Sequence, residues 1–190
     1  NSYLDNLDDY DLLCERIAVW GNPVRDYLIK KYNFKEENIL VSGSPRHENF
    51  NPNKKINFSK KNIVITPRPL IKHVEGTKLK LQLRYENMLQ KLILCLKNIN
   101  NVNIIFKLHP QQNIHNDIMK SVIKKLDSKI IVLQDESIKE ILDDAYLLIN
   151  ISTDNLDVST VIFESMLINV PIINLKLQKN NWEYDIEKNG

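Results

Sequence analysis

At 190 residues, 43% hydrophobic and 26% charged, the chain is long enough for a sizeable core, and its composition excludes intrinsic disorder, collagen-like repeats and low-complexity fibres. Its 26 basic and 24 acidic residues leave a formal charge of +2 spread along the chain, which argues against the one-sided basic footprint of a nucleic-acid binder. Cys14 and Cys95 lie in apolar stretches with no C-x-x-C spacing, so they read as core thiols in a reducing compartment rather than as a zinc site or a disulfide framework.

No apolar run approaches the ~18 residues of a membrane span, and the first residues carry no signal-peptide pattern, which together suggest a cytoplasmic protein. The abrupt start at Asn1 and end at Gly190 suggest a piece of something longer. Asparagine, isoleucine and lysine are abundant while alanine occurs only at Ala18 and Ala145. That bias reads as genomic base composition, so the asparagines carry no weight at this stage.

In chain order, Arg16 to Trp20 is a short β-type run closed by Gly21, and Pro23 opens a helix with Val24, Tyr27, Leu28 and Tyr32 at helical spacing. Asn38 to Val41 is a second strand, leading into Ser42-Gly43-Ser44-Pro45. Asn49 to Lys61 is polar and aperiodic and reads as a linker. The expected boundary divides residues 1–58 from residues 59–190.

From Asn62 the pattern is regular. Strands are expected at Asn62 to Thr66, Asn103 to Leu108, Lys129 to Leu133, Tyr146 to Ile151 and Pro171 to Leu175. The intervening helices are Lys78 to Asn98, Asn116 to Leu126, Ser137 to Ala145 and Ser159 to Ile168, with Ser137 and Ser159 as caps. Short, continuously apolar, β-branched strands alternating with helices describe a doubly wound, Rossmann-like parallel sheet. The expected strand order is 3-2-1-4-5, counting from Asn62.

In such a sheet ligands gather beyond the carboxyl ends of the strands, where the strand order reverses. That places Thr66-Pro67-Arg68-Pro69, Lys107-Leu108-His109-Pro110 and the segment from Ile151 to Thr160 around one crevice. Ser159 and Thr160 at a helix start, with Arg68 opposite, suit a phosphate, because a helix N-terminus offers unpaired N–H groups and partial positive charge. Ser159 could equally serve only as a cap. Glu164, four residues after Thr160 in an apolar helix, needs partners if buried, and a ribose diol would supply them. His109 stands at the rim, where Pro110 turns the chain. His47, His73 and His115 have no partner at a recognisable spacing and read as surface residues. Only Gly21, Gly43, Gly76 and Gly190 are present, so neither a dinucleotide fingerprint nor a P-loop can be written. The G-x-S-x-G elbow and the H-E-x-x-H zinc motif are missing as well.

The ordered set Val41 to Arg46 (VSGSPR), Ile65 to Pro69 (ITPRP), Lys107 to Pro110 (KLHP) and Asp157 to Ile173 (DVSTVIFESMLINVPII) resembles nucleotide-sugar-dependent glycosyltransferases of the GT-B fold. The likeness points to the cell-surface polysaccharide branch, which includes HP-motif sialyltransferases, CDP-glycerol glycerophosphotransferases and relatives of UDP-N-acetylglucosamine 2-epimerase. It implies that residues 59–190 are the nucleotide-binding domain and residues 1–58 a remnant of the acceptor domain plus linker. His109 would contact the nucleotide or its phosphate, Ser159 and Thr160 the phosphate, and Glu164 the ribose. The loop Leu133 to Ser137, including Asp135 and Ser137, would hold the base. Arg68 would face the leaving phosphate and, with His109, stabilise it.

The resemblance implies a nucleotide-activated donor as substrate, no separate cofactor and no metal. It also implies a glycan or lipid-linked acceptor, which would allow peripheral membrane association of the longer protein. The acid-acid-glycine motif that carries the base in the sialyltransferases is not matched, since Asp8-Asp9, Glu36-Glu37 and Asp143-Asp144 are followed by Tyr10, Asn38 and Ala145. The base is therefore expected outside this chain, and an epimerase-like enzyme or a non-catalytic nucleotide-sugar-binding subunit stands as a rival reading.

Overall fold

The computed structural model describes residues 14–50, 61–67, 78–110, 114–152 and 159–177. The chain divides into two compact units, Asn1–Asn49 and Phe50–Gly190.

In the first unit, strand β1 (Ile17–Val19) and strand β2 (Ile39–Val41) pair in parallel, with Ile17 opposite Ile39 and Val19 opposite Val41. Between them runs helix α1 (Asn22–Tyr32), which has a proline in its first turn, where the missing N–H costs no intrahelical bond. It stops at Asn33, whose φ of 53° is left-handed and whose N–H returns to the Leu28 carbonyl. Two short 3-10 turns, Glu36–Asn38 and Pro45–His47, flank β2. His47 is not the partnerless surface residue expected. It is half-buried, shares a 2.7 Å hydrogen bond with Ser44 Oγ, and meets the Trp20 ring edge-on at 6.1 Å.

The second unit is a five-stranded parallel sheet. Its strands are β3 (Lys61–Pro67), β4 (Val102–Lys107), β5 (Ile131–Leu133), β6 (Ala145–Ser152) and β7 (Ile172–Lys176). They lie in the order β5-β4-β3-β6-β7, which is the order expected from the alternation of strands and helices. Helices α2 (Lys78–Lys97), α3 (Ile114–Leu126), α4 (Ile138–Asp143) and α5 (Thr160–Leu167) fall between successive strands.

The pleat of β3 divides its side chains between two cores. Ile63 and Ile65 join Tyr85, Leu89, Ile93 and Leu96 of α2, Ile123 of α3, and Phe106 and Ile151 of the neighbouring strands. Val64 joins Leu148, Leu142, Val161 and Ile168 on the other face. Each fully buried aliphatic or aromatic side chain in these clusters contributes ~1.5–3 kcal/mol relative to exposure.

Two expectations about burial fail. Both cysteines are exposed; Cys95 lies beside the exposed Leu94 on the outer stripe of α2, while Ile93 and Leu96 turn into the core. Helix α5 is buried along Val161, Ile162, Glu164 and Ser165, whereas Phe163, Met166 and Leu167 are 45%, 49% and 40% exposed.

Candidate functional site

Strand β3 has β4 on one side and β6 on the other, so the order of strands reverses there and the crevice lies beyond the carboxyl ends of these strands. Arg68 lies outside the described residues, as do residues 153–158 between β6 and α5 and also His73. Of His115 only the backbone is described.

Because β6 and β7 are parallel, α5 starts at the carboxyl edge of the sheet and runs back toward its amino edge. Its first N–H groups are therefore at the crevice, with the positive end of the helix dipole. Ser159 occupies the cap position with extended backbone (φ −61°, ψ 130°), yet its hydroxyl makes no capping bond. The hydroxyl is thus not committed to the helix. Thr160 is exposed beside it, and Glu164, one turn on, is 2% exposed. The neighbouring Ser165 is fully buried, and its hydroxyl has no hydrogen-bond partner among the described residues. Ser159, Thr160 and Glu164 are thus brought onto one helix start at the reversal point.

Beneath this helix start the sheet carries a polar row that sequence reasoning missed. Thr66, Asn150 and Asn174 occupy matching positions on β3, β6 and β7. Thr66 Oγ1 donates to Asn150 Oδ1 at 3.1 Å. Asn150 Nδ2 donates to Asn174 Oδ1 at 2.8 Å and to Ser152 Oγ at 3.1 Å, and Ser152 Oγ donates to Asn174 Oδ1 at 3.1 Å. Asn150 and Ser152 are buried, 1% and 6% exposed. Setting the asparagines aside therefore missed Asn150 and Asn174. The available signal was one polar residue near the carboxyl end of each of three apolar runs.

The other end of the edge is charged. Lys107, quoted above only as part of KLHP, is the last residue of β4 and is 6% exposed. Its ammonium donates to the Leu108 carbonyl at 2.9 Å and the Gln134 carbonyl at 2.5 Å. Burial pulls its pKa down from the ordinary lysine value, while the carboxylates of Glu136 and Asp135 oppose that shift. Glu136 Oε2 in turn accepts from the Gln134 N–H at 2.8 Å. The hydrogen bond from its own backbone N–H, then that from Gln134, and the Lys107 charge hold its carboxyl below the usual glutamate value.

His109 follows in an exposed position, with its carbonyl accepting from Asn116 Nδ2 of α3 at 2.9 Å. Asp135 and Ser137 are both exposed on the β5–α4 loop, and Ser137 caps α4 by position without a side-chain bond. His109, Asp135 and Ser137 thus gather at the β4–β5 end, away from α5. A separate groove of about 640 Å³ lies between α2 and α3, lined by Glu86, Gln90, Asp117, Ser121 and Lys125 among others; it involves none of these residues.

Among the described residues no three His, Cys, Asp or Glu side chains are placed to hold a metal ion, and no helix is long and apolar enough to cross a membrane.

No protein-family model and no curated protein matches the sequence. Among solved structures, the chain is similar in fold to the crystal structure of accessory secretory protein 1, 2 and 3 in Streptococcus pneumoniae, with a TM-score of 0.56 and 12% sequence identity. The match covers 90% of this chain and 33% of that one, so the chain spans about a third of the protein it resembles. The likeness is distant and concerns the fold. It agrees with a Rossmann-like α/β architecture and goes no further.

Proposed function

We propose that this chain carries the nucleotide-binding half of a glycosyltransferase of the GT-B type, which takes a sugar or polyol phosphate from a nucleotide-activated donor for surface polysaccharide or glycan synthesis. The observation that carries this reading is the start of α5: an uncommitted Ser159 hydroxyl, Thr160 beside it, and the buried Glu164 carboxylate one turn on, at the reversal point of the sheet. The helix end would receive the phosphates and Glu164 the ribose hydroxyls.

Catalysis in this reading is leaving-group stabilisation. Charge develops on the departing phosphate, and fixed donors at the helix end, with Arg68, would stabilise it more in the transition state than in the bound donor; His109, at the β4–β5 end, would contact the nucleotide. The general base and the acceptor site would come from outside this chain.

A non-catalytic nucleotide-sugar-binding subunit is the second reading. It is favoured by the unmatched acid-acid-glycine motif and by the similarity to a protein described as an accessory secretory protein.

Calorimetric titration with UDP, CMP, CDP and GDP tests the nucleotide site, and failure to bind any of the four would overturn both readings. Acceptor-dependent release of nucleotide from the cognate donor, assayed on the full-length protein, separates them. Transfer supports the enzyme, and binding without transfer supports the subunit.

A further inference from the structure

We propose that the outer face of α2 and α3 is a dimer interface, on which a second copy of this chain docks with its helices antiparallel. The two helices follow β3 and β4 in a parallel sheet, so both run from its carboxyl edge to its amino edge, side by side. One side of α2 faces the sheet, where Tyr85, Leu89, Ile93 and Leu96 are buried. Leu83 and Leu94, in contrast, are more than half exposed. They fall at helical spacing on either side of Asn87 and Gln90, which line the groove between the two helices. From α3, Ile118 lines the same groove and is also exposed. Large apolar side chains gathered on one face and rimmed by polar ones mark an interaction surface.

The placement of charge selects the occupant. Asp117 and Lys125 are exposed on α3, four residues before and four after Ser121, and neither has an ion-pair partner among the described residues. Leu83 and Leu94 are centred at the same level, that of Glu86, Asn87 and Gln90 across the groove. A two-fold axis lying in the face, across the helices at that level, sets Asp117 of each copy against Lys125 of the other, and Leu83 against Leu94. Such reciprocal pairs are what a two-fold interface requires of a single surface. An axis along the helices would bring Asp117 onto Asp117, so the charges fix the antiparallel arrangement. With α2 of 20 residues and α3 of 13 residues, the face is ~20–30 Å long and about two helix diameters wide, or roughly 500 Å² per copy. A total of about 1,000 Å² is where specific interfaces begin, so the dimer is reversible, with a Kd in the micromolar range.

Sedimentation equilibrium of this chain, without nucleotide and from about 1 to 300 µM, should show monomer and dimer in exchange. Leu94→Lys, at an exposed position, keeps the fold and should weaken association at least about tenfold, whereas Met166→Lys, in the exposed stripe of α5, should leave it unchanged. Asp117→Lys and Lys125→Asp, each alone, should weaken it about tenfold, because two contacts turn from attraction to like-charge repulsion. Circular dichroism confirms that each variant is folded. An equimolar mixture of the two charge variants should associate again as a heterodimer, since one copy then offers only lysines at these positions and the other only aspartates. A wild type that stays monomeric across this range overturns the proposal. A dimer that Leu94→Lys leaves intact overturns it too, because the copies then meet elsewhere. Charge variants that fail to rescue each other overturn the antiparallel two-fold arrangement on which it stands.

Discussion

The two ends of the sheet's carboxyl edge are held by different chemistry. At the β3–β6–β7 end, Thr66, Asn150, Asn174 and Ser152 bond to one another as neutral side chains at matching register positions. At the β4–β5 end, an ammonium and a carboxylate grip a single loop peptide. The difference follows from geometry. Where strands run regularly, short amides and hydroxyls meet in register, and each finds a partner without burying charge. Where the ladder stops, the carbonyls lie irregularly, and a long side chain with three donors can reach two of them at once. The neutral row fixes strand positions beneath the α5 start, and the charged grip fixes a loop.

Asn150→Leu should have the largest effect. It removes the shared centre of the neutral row and leaves the Thr66 hydroxyl, Asn174 Oδ1 and Ser152 with fewer partners in a buried place. A loss of about 3 kcal/mol is expected, from more than one group left unsatisfied. Urea unfolding checks it as a lower midpoint with an unchanged slope. Lys107→Met should lower the midpoint far less, because losing a desolvated charge offsets part of the lost bonding. If the two variants lost equal stability, the distinction between a strand lock and a loop grip would fail.

Next in size is Glu164→Gln, which keeps the shape of the α5 start and removes its charge. If the buried carboxylate bonds a ribose, nucleotide affinity should fall by about 1.5–3 kcal/mol, measured by calorimetry on folded protein. Unchanged affinity would detach the ribose role from this helix and leave only its phosphate-binding end.

A smaller effect is expected from Ser159→Ala. Replacing a serine that caps a helix through its hydroxyl usually costs ~0.5–2 kcal/mol. Here that hydroxyl makes no capping bond, so the thermal midpoint should shift by the equivalent of less than about 0.5 kcal/mol, while pyrophosphate binding weakens. A full capping loss would return Ser159 to a purely structural role.

The sheet was legible in the sequence because β-branched apolar runs and helical spacing alternate from Asn62 onward, and parallel strands joined by helices leave few permitted orders. Glu164 was legible as a buried acid because its apolar neighbours Val161 and Ile162 are core residues. The same argument misjudged Phe163, Met166 and Leu167, since a short helix on a sheet buries one stripe and exposes the rest. Asn150 and Asn174 were hidden by the abundance of asparagine, and Lys107 by its place in the KLHP run, where only His109 was weighed. Their partners are set by inter-strand register and by loop course, which periodicity does not encode.

The smallest expected effect is on acidification, and it separates the two ends most directly. The neutral row contains no titrating group, so its strand amides should keep their exchange protection while the fold lasts. Glu136 has its folded-state pKa held below the ordinary glutamate value, so its contribution is present at neutral pH and is lost as pH falls through that lowered value. Exchange in residues 133–137 should therefore quicken before the β3 and β6 amides change. Asp127 also loses support in acid, because Lys97, bonded to it at 2.8 Å, holds its carboxyl low. That pair joins α2 to the end of α3, so the comparison has to be read residue by residue and not from a global melt. In Lys107→Met the Glu136 midpoint should rise only partway toward the ordinary value, because the bond from its own N–H lowers it more than the lysine charge does. A full return would make the ammonium the principal support of the carboxylate, and no movement would show that the two grips on Gln134 act independently.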